Sequence, residues 1–148
     1  AGLPLACDMV VACQAASFML PFAKIGLIPD TACSWLVPQR LGQARALGLA
    51  MTGNKLPAAK AAEWGLIWDA VAEDVFADAV QQLAEQLATM PTKALVRTRQ
   101  AMQAGRTNTL EQQLTLEGLY MRELGRSSDY VEGVSAFLEK RAPRFTGA

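Results

Sequence analysis

The chain has 148 residues, 51% of them hydrophobic and 19% charged, and its fourteen basic and fourteen acidic side chains give zero formal net charge. That length can bury a core, and the charge balance supplies no long-range field for nucleic acid or an anionic membrane surface, so any anion binding has to be local. The complete lack of histidine excludes a Ser-His-Asp or Cys-His mechanism within these residues and argues against a zinc site.

In chain order, residues 5–12 form a short apolar run containing Val10 and Val11, which reads as a buried strand belonging to a sheet whose other strands lie elsewhere. Trp35 opens a mostly helical stretch, in which the segment from Ala44 to Met51 is apolar or small apart from Arg45 and is ended by Gly53-Asn54. Pro57 suits a first helical position and Gly65 a position just past the end, predicting a short helix over 58–64. A brief strand over 67–71 follows. Asp74 is placed to cap a helix whose Val75, Ala79, Leu83, Leu87 and Met90 share a stripe, and Pro91 stops it.

The helical pattern resumes from Thr92 to Gly105, carrying Lys93, Arg97 and Arg99. Thr109 with Gln112 fits a capping box opening another helix, in which Leu110, Leu114, Glu117 and Met121 recur at helical spacing. Asp129 with Glu132 predicts a final start, running to about Arg141. No internal repeat or low-complexity segment interrupts this order. Cys7, Cys13 and Cys33 fit neither a metal pair nor a disulfide framework and read as reduced core cysteines. No apolar run approaches the roughly 18 residues of a spanning helix, and no basic leader precedes one, so a cytoplasmic location is expected.

One acid stands apart. Between Ala1 and Ala62 the acidic residues are Asp8 and Asp30 alone, and Asp30 follows the apolar corner Ile28-Pro29. Two readings remain open from the residues: a helix N-cap for a helix over 31–39, or a lone carboxylate at a buried turn carrying out proton transfer.

Several short motifs then recur in a fixed order: Ala6-Cys7-Asp8-Met9-Val10-Val11-Ala12, Phe18, Lys24-Ile25-Gly26-Leu27-Ile28-Pro29, Leu41-Gly42, Thr52-Gly53, Ala61-Ala62-Glu63-Trp64-Gly65-Leu66 and Glu132-Gly133-Val134-Ser135-Ala136-Phe137-Leu138-Glu139-Lys140-Arg141. As a set they resemble the crotonase (enoyl-CoA hydratase/isomerase) family almost from end to end, where any one motif alone would be weak. Within it, Gly65-Leu66-Ile67-Trp68, Thr107-Asn108-Thr109-Leu110 and Gly125-Arg126-Ser127-Ser128-Asp129-Tyr130 look most like a bacterial isomerase branch acting on a phenylacetyl-type CoA thioester in phenylacetate degradation.

The resemblance implies an α/β fold, part of a ββα spiral over residues 1–90, followed by a helical oligomerisation region over 91–148 that packs subunits into trimers, often stacked as hexamers. It implies an acyl-CoA thioester substrate, with coenzyme A as part of the substrate and no separate cofactor, and neither nucleic acid nor membrane as partner. It also implies that the first oxyanion-hole amide and the Gly-rich turn giving the second lie upstream of these residues, so that the isolated chain is expected to be almost inactive.

By the same resemblance Asp30 shuttles a proton on the acyl-CoA, which is isomerisation. Hydration uses two glutamates, and the matching positions hold Gly2 and Phe22. An aryl-CoA dehalogenase, in which the acid is a nucleophile, is the alternative chemistry; a non-catalytic assembly fragment is the alternative of another class. Phe22, Ile28 and Trp35 suit an aryl pocket, although aromatic residues beside an apolar turn also read as plain core. Phe137 and Lys140, three residues apart and hence on one helical face, match residues that meet the adenine or phosphate end of CoA, but a cation near a helix C-terminus is favoured by the helix dipole alone. The family's Gly-Gly after the acid is Ala32-Cys33 here, and Pro4 stands inside what is normally a regular helix.

Overall fold

The computed structural model describes residues 2–148, which divide into two compact units, one up to Gln82 and one from Leu83. The first begins with a single helical turn, α1 (Gly2–Leu5), which accommodates Pro4 because an imide nitrogen needs no partner in a first turn. The expected strand over 5–12 is therefore shorter and later: Leu5 ends the helical turn, its neighbour Ala6 donating to Gly2 O at 3.1 Å, and extended pairing begins only at β1 (Val11–Cys13). After β2 (Ser17–Phe18) and a 3-10 turn over Pro21–Ile25 come α2 (Cys33–Leu41), α3 (Gln43–Thr52), β3 (Leu56–Pro57), α4 (Ala58–Glu63) and β4 (Asp69–Val71).

Parallel pairing joins β1 to β4, Val11 facing Asp69 and Cys13 facing Val71, so the strand does have a partner in this chain. The antiparallel pair β2–β3, Ser17 facing Pro57, is too short to leave a period-2 signal in the sequence. Helix α3 ends as expected at Gly53, whose φ of 59° is left-handed; a side chain there would also lie 3.2 Å from the backbone of Pro21. Arg40 binds distant segments together, its guanidinium donating to Leu5 O at 2.7 Å, Cys7 O at 3.0 Å and Leu66 O at 3.2 Å. The core is formed by Leu5, Phe18, Leu20, Cys33, Val37, Leu41, Leu49, Leu56 and Leu66 with smaller neighbours. Of the three cysteines, all free, only Cys33 is in that core; Cys7, ahead of the short strand, is exposed and Cys13, its last residue, is half-buried.

Asp74 does not cap a helix. It lies inside a 3-10 turn, Glu73–Val75, and α5 (Phe76–Ala88) continues directly from it. The second unit holds α6 (Thr92–Ala104), α7 (Leu110–Leu124) and α8 (Ser128–Glu139). The capping box at Thr109 is complete: Gln112 N donates to Thr109 Oγ1 at 3.3 Å and Thr109 N to Gln112 Oε1 at 2.9 Å. At α8 the cap is Ser127, whose hydroxyl accepts from Tyr130 N at 3.1 Å, rather than Asp129. Asp129 lies two residues further on and is buried because it binds the chain beyond the helix.

Packing differs between the units. Apart from Ala136, the buried apolar residues belong to the first, whereas Leu110, Leu114, Met121, Val131, Phe137 and Leu138 of α7 and α8 are exposed. Among the described residues no helix is long and apolar enough to cross a membrane.

Candidate active site

Asp30 O accepts a hydrogen bond from Cys33 N at 2.8 Å, closing a tight turn with Thr31 and Ala32 at its centre. Both central residues have positive φ, 46° at Thr31 and 61° at Ala32, the geometry of a type I′ turn, which normally selects glycine or asparagine. A β-branched residue at positive φ is strained, and such strain concentrates at working sites. Helix α2 starts directly from this turn, with Ala32 at its cap and no side-chain hydrogen bond there. Asp30 is thus not the N-cap. Its Oδ1 instead accepts from the Thr31 hydroxyl at 3.1 Å.

Neither is the turn buried: Asp30 is exposed in this chain, where an unpaired carboxylate keeps its hydration. Ile28 is 81% exposed and Trp35 55% exposed, so neither belongs to the core, whereas Phe22 is half-buried against it. Phe22 and Leu27 are joined through the backbone, Leu27 N donating to Phe22 O at 2.9 Å, which folds the apolar corner back on the 3-10 turn. Asp30, Ile28, Phe22 and Trp35 therefore all occupy the first unit, on the turn and the two segments it joins.

Gly2 is the sharpest constraint at the turn. A Cβ on it would lie 2.1 Å from Thr31 Oγ1 and 2.7 Å from Thr31 Cβ, so no side chain fits there while Thr31 holds its place. One position of a possible second carboxylate is filled by the neighbour of the first.

Phe137 and Lys140 lie in the second unit. They do not share a helical face: α8 ends at Glu139, and Lys140 is left-handed at φ 55°, past the helix. Phe137 is 82% exposed and lines a groove of about 690 Å³ with Met121, Tyr130, Val134, Leu138 and Phe145.

Three features escaped the sequence reading. Thr31 was invisible as a partner of Asp30 because the sign of φ leaves no trace in side-chain pattern. Asp129 and Glu132 carried a signal, two acids at helical spacing before an apolar run, but it reads equally as a helix start. In the structure Asp129 accepts from Thr146 N at 2.7 Å, Thr146 Oγ1 at 3.2 Å and Gly147 N at 2.8 Å. Glu132 accepts from Arg141 at 2.6 and 2.9 Å and from Arg144 N at 2.7 Å, contacts that hold its carboxyl down at about 2, the Arg141 side chain first and the Arg144 amide next.

A mostly helical chain with two short strand pairs and an acid on a strained turn agrees with the family comparison: residues 1–148 match the enoyl-CoA hydratase/isomerase family model, and the chain belongs to that family. It is 53% identical over 147 residues to the 1,2-epoxyphenylacetyl-CoA isomerase of Escherichia coli (strain K12), covering 99% of this chain and 56% of that protein. It is 46% identical over 147 residues to a Rhodobacter capsulatus protein named "Probable enoyl-CoA hydratase", covering 99% of this chain and 57% of that protein. Among solved structures, the enoyl-CoA hydratase of Mycobacterium tuberculosis H37Rv superposes with a TM-score of 0.92 at 32% identity, over 99% of this chain and 58% of that one. The chain thus spans a little over half the length of the relatives it matches.

Proposed function

We propose that this chain carries the acid/base residue of an acyl-CoA isomerase acting on phenylacetyl-type or enoyl-CoA thioesters. The observation that carries the reading is Gly2 beside the Asp30 turn, where a side chain would run into Thr31, so Asp30 has no second carboxylate at that position. Phe22 stands at the other position where the resemblance to hydratases would place an acid. A single carboxylate can take a proton from the carbon next to the thioester and return it to another carbon of the same substrate, leaving atom count and charge unchanged. Activating a water for addition calls for a second group to orient it.

In this mechanism the Thr31 hydroxyl fixes the rotamer of Asp30 through Oδ1, leaving the other oxygen to meet the substrate. Ile28 and Trp35, both exposed, form the apolar side of the acyl site. Phe137 and Lys140, whose counterparts in the family often come from a neighbouring subunit, meet the nucleotide end of CoA. The enolate oxygen requires donors, each worth about 2.7–4 kcal/mol, and the reading assigns these to the part of the relatives' length that this chain does not match. Turnover by the 148 residues alone is accordingly expected to be far below that of a full-length relative.

The deciding experiment follows deuterium from heavy water into the α-position of phenylacetyl-CoA and of a 3-enoyl-CoA, with Asp30→Asn alongside. Exchange by the wild-type chain that disappears in the variant supports the reading, and equal exchange by both proteins removes it.

The exposed apolar residues of α7 and α8 support self-association, and a trimer or hexamer is the proposed assembly. Light scattering is expected to give a mass of at least three chains, and a monomer at high concentration contradicts the assignment.

A further inference from the structure

We propose that Glu132 is a positioning residue, clamping the chain after α8 so that Lys140 is held in a left-handed conformation for contact with the anionic end of CoA; the role toward CoA rests on the function proposed above. Lys140 occupies the place after a helix where glycine is usual, and left-handed geometry is unfavourable for an L-residue because Cβ crowds the following carbonyl. Something outside Lys140 has to offset that cost. The backbone closes around it, Lys140 N donating to Phe137 O at 3.3 Å and Arg141 N to Ala136 O at 3.0 Å. These bonds tie the Arg141 amide back to α8 in a Schellman-type helix end, and the residues after it still have to be held.

That holding comes from the Arg141 fork on Glu132, both oxygens engaged at 2.6 and 2.9 Å, with Arg141 Nε also donating to Glu139 Oε2 at 2.6 Å. Glu132 accepts in addition from Arg144 N at 2.7 Å, so one carboxylate grips the chain on both sides of Ala142-Pro143. One turn toward the N-terminus, Asp129 takes the amides of Thr146 and Gly147, and the Phe145 ring lies 3.5 Å from where a side chain on Gly133 would begin. Two carboxylates three residues apart on α8 thus fasten residues 141–147 along the helix, and Lys140 is the hinge between helix and strap. A bidentate arginine–carboxylate pair fixes direction as well as distance, so a strap fastened this way sets the backbone angle of the residue before it.

The test uses the 148-residue chain, with coenzyme A as the probe. The intraresidue amide-to-Hα NOE of Lys140, strong only at positive φ, is recorded for the wild type, Glu132→Gln and Arg141→Lys, the last keeping the charge but losing the fork. Unchanged amide shifts in α6 and α7 identify variants that remain folded, and Arg141→Lys serves if Glu132→Gln does not. Loss of the strong NOE in the folded variants is expected, and its retention overturns the proposal.

Titrations with CoA read the second half. Lys140→Ala and Glu132→Gln are each expected to weaken binding severalfold, and the double variant no further than Lys140→Ala alone. Unchanged binding in Lys140→Ala sinks the assignment of Lys140 to CoA. A weakened Lys140→Ala beside an unchanged Glu132→Gln sinks the positioning role alone.

Discussion

Ala32 shows how one residue shapes the turn that carries Asp30. Its φ of 61° lies where an L-residue loses about 1–2 kcal/mol, and the family's glycine would avoid that loss. Glycine also gains freedom in the unfolded chain, which returns about 0.5–1 kcal/mol. Ala32→Gly is therefore expected to stabilise the chain by about 0.5–1 kcal/mol, seen as a higher urea midpoint at an unchanged slope. The departure from Gly-Gly is legible in the sequence, but which of the two positions needs positive φ is not: Cys33 is already helical and buried, and the demand falls on Thr31 and Ala32. Asp30 is legible for a chemical reason, as a lone acid in an apolar stretch. Its exposure is not, because burial of a turn depends on what covers it rather than on the residues that form it.

At the scale of elements, the helix ends separate what side-chain pattern encodes from what it does not. The Thr109–Gln112 box is reciprocal in both sequence and structure, satisfying two amides that a helix start would leave unpaired. Thr109→Ala is expected to cost about 1 kcal/mol in chemical denaturation followed by helical signal, whereas Thr109→Ser should cost only a few tenths. Asp74 and Asp129 have the right residue type one or two places from a helix start and cap nothing there. In the first case a 3-10 turn absorbs the acid; in the second Ser127 is the better-placed acceptor, and Asp129 is drawn to the backbone of Thr146 and Gly147. Capping competes with every other use of a short polar side chain, and only tertiary contacts decide the outcome. The strands were harder still, since β1 and β4 have three residues each and β2 and β3 two, too few for periodicity to register.

Across the whole molecule, the two units are held by different physics, which gives them different responses to acid. The first is built around an apolar core of leucine, phenylalanine and valine, and Arg40 donates to carbonyl oxygens of its separate segments. In the second, the strap after α8 hangs on carboxylates. Glu132 has a folded-state value of about 2, below the usual carboxylate range, because Arg141 and the Arg144 amide favour its charged form. A carboxyl lowered by folding contributes its stabilisation in full above its unfolded value, and loses it progressively as pH falls from there toward the folded value. The groups facing Glu132 are Arg141 and Arg144, with Glu139 also bound to Arg141, and the two carboxylates hold the Arg141 guanidinium in its charged form throughout this window. The strap should therefore stay fastened at neutral pH and release between about 4.5 and 2 as Glu132 takes up a proton. Amide hydrogen exchange at Arg144 is expected to accelerate across that window, while amides of the first unit's core, such as Val37 and Leu41, remain protected. In Glu132→Gln the Arg144 amide should already exchange fast at neutral pH, with no further step in acid from this site; an unchanged acid profile in that variant would assign the release to another group.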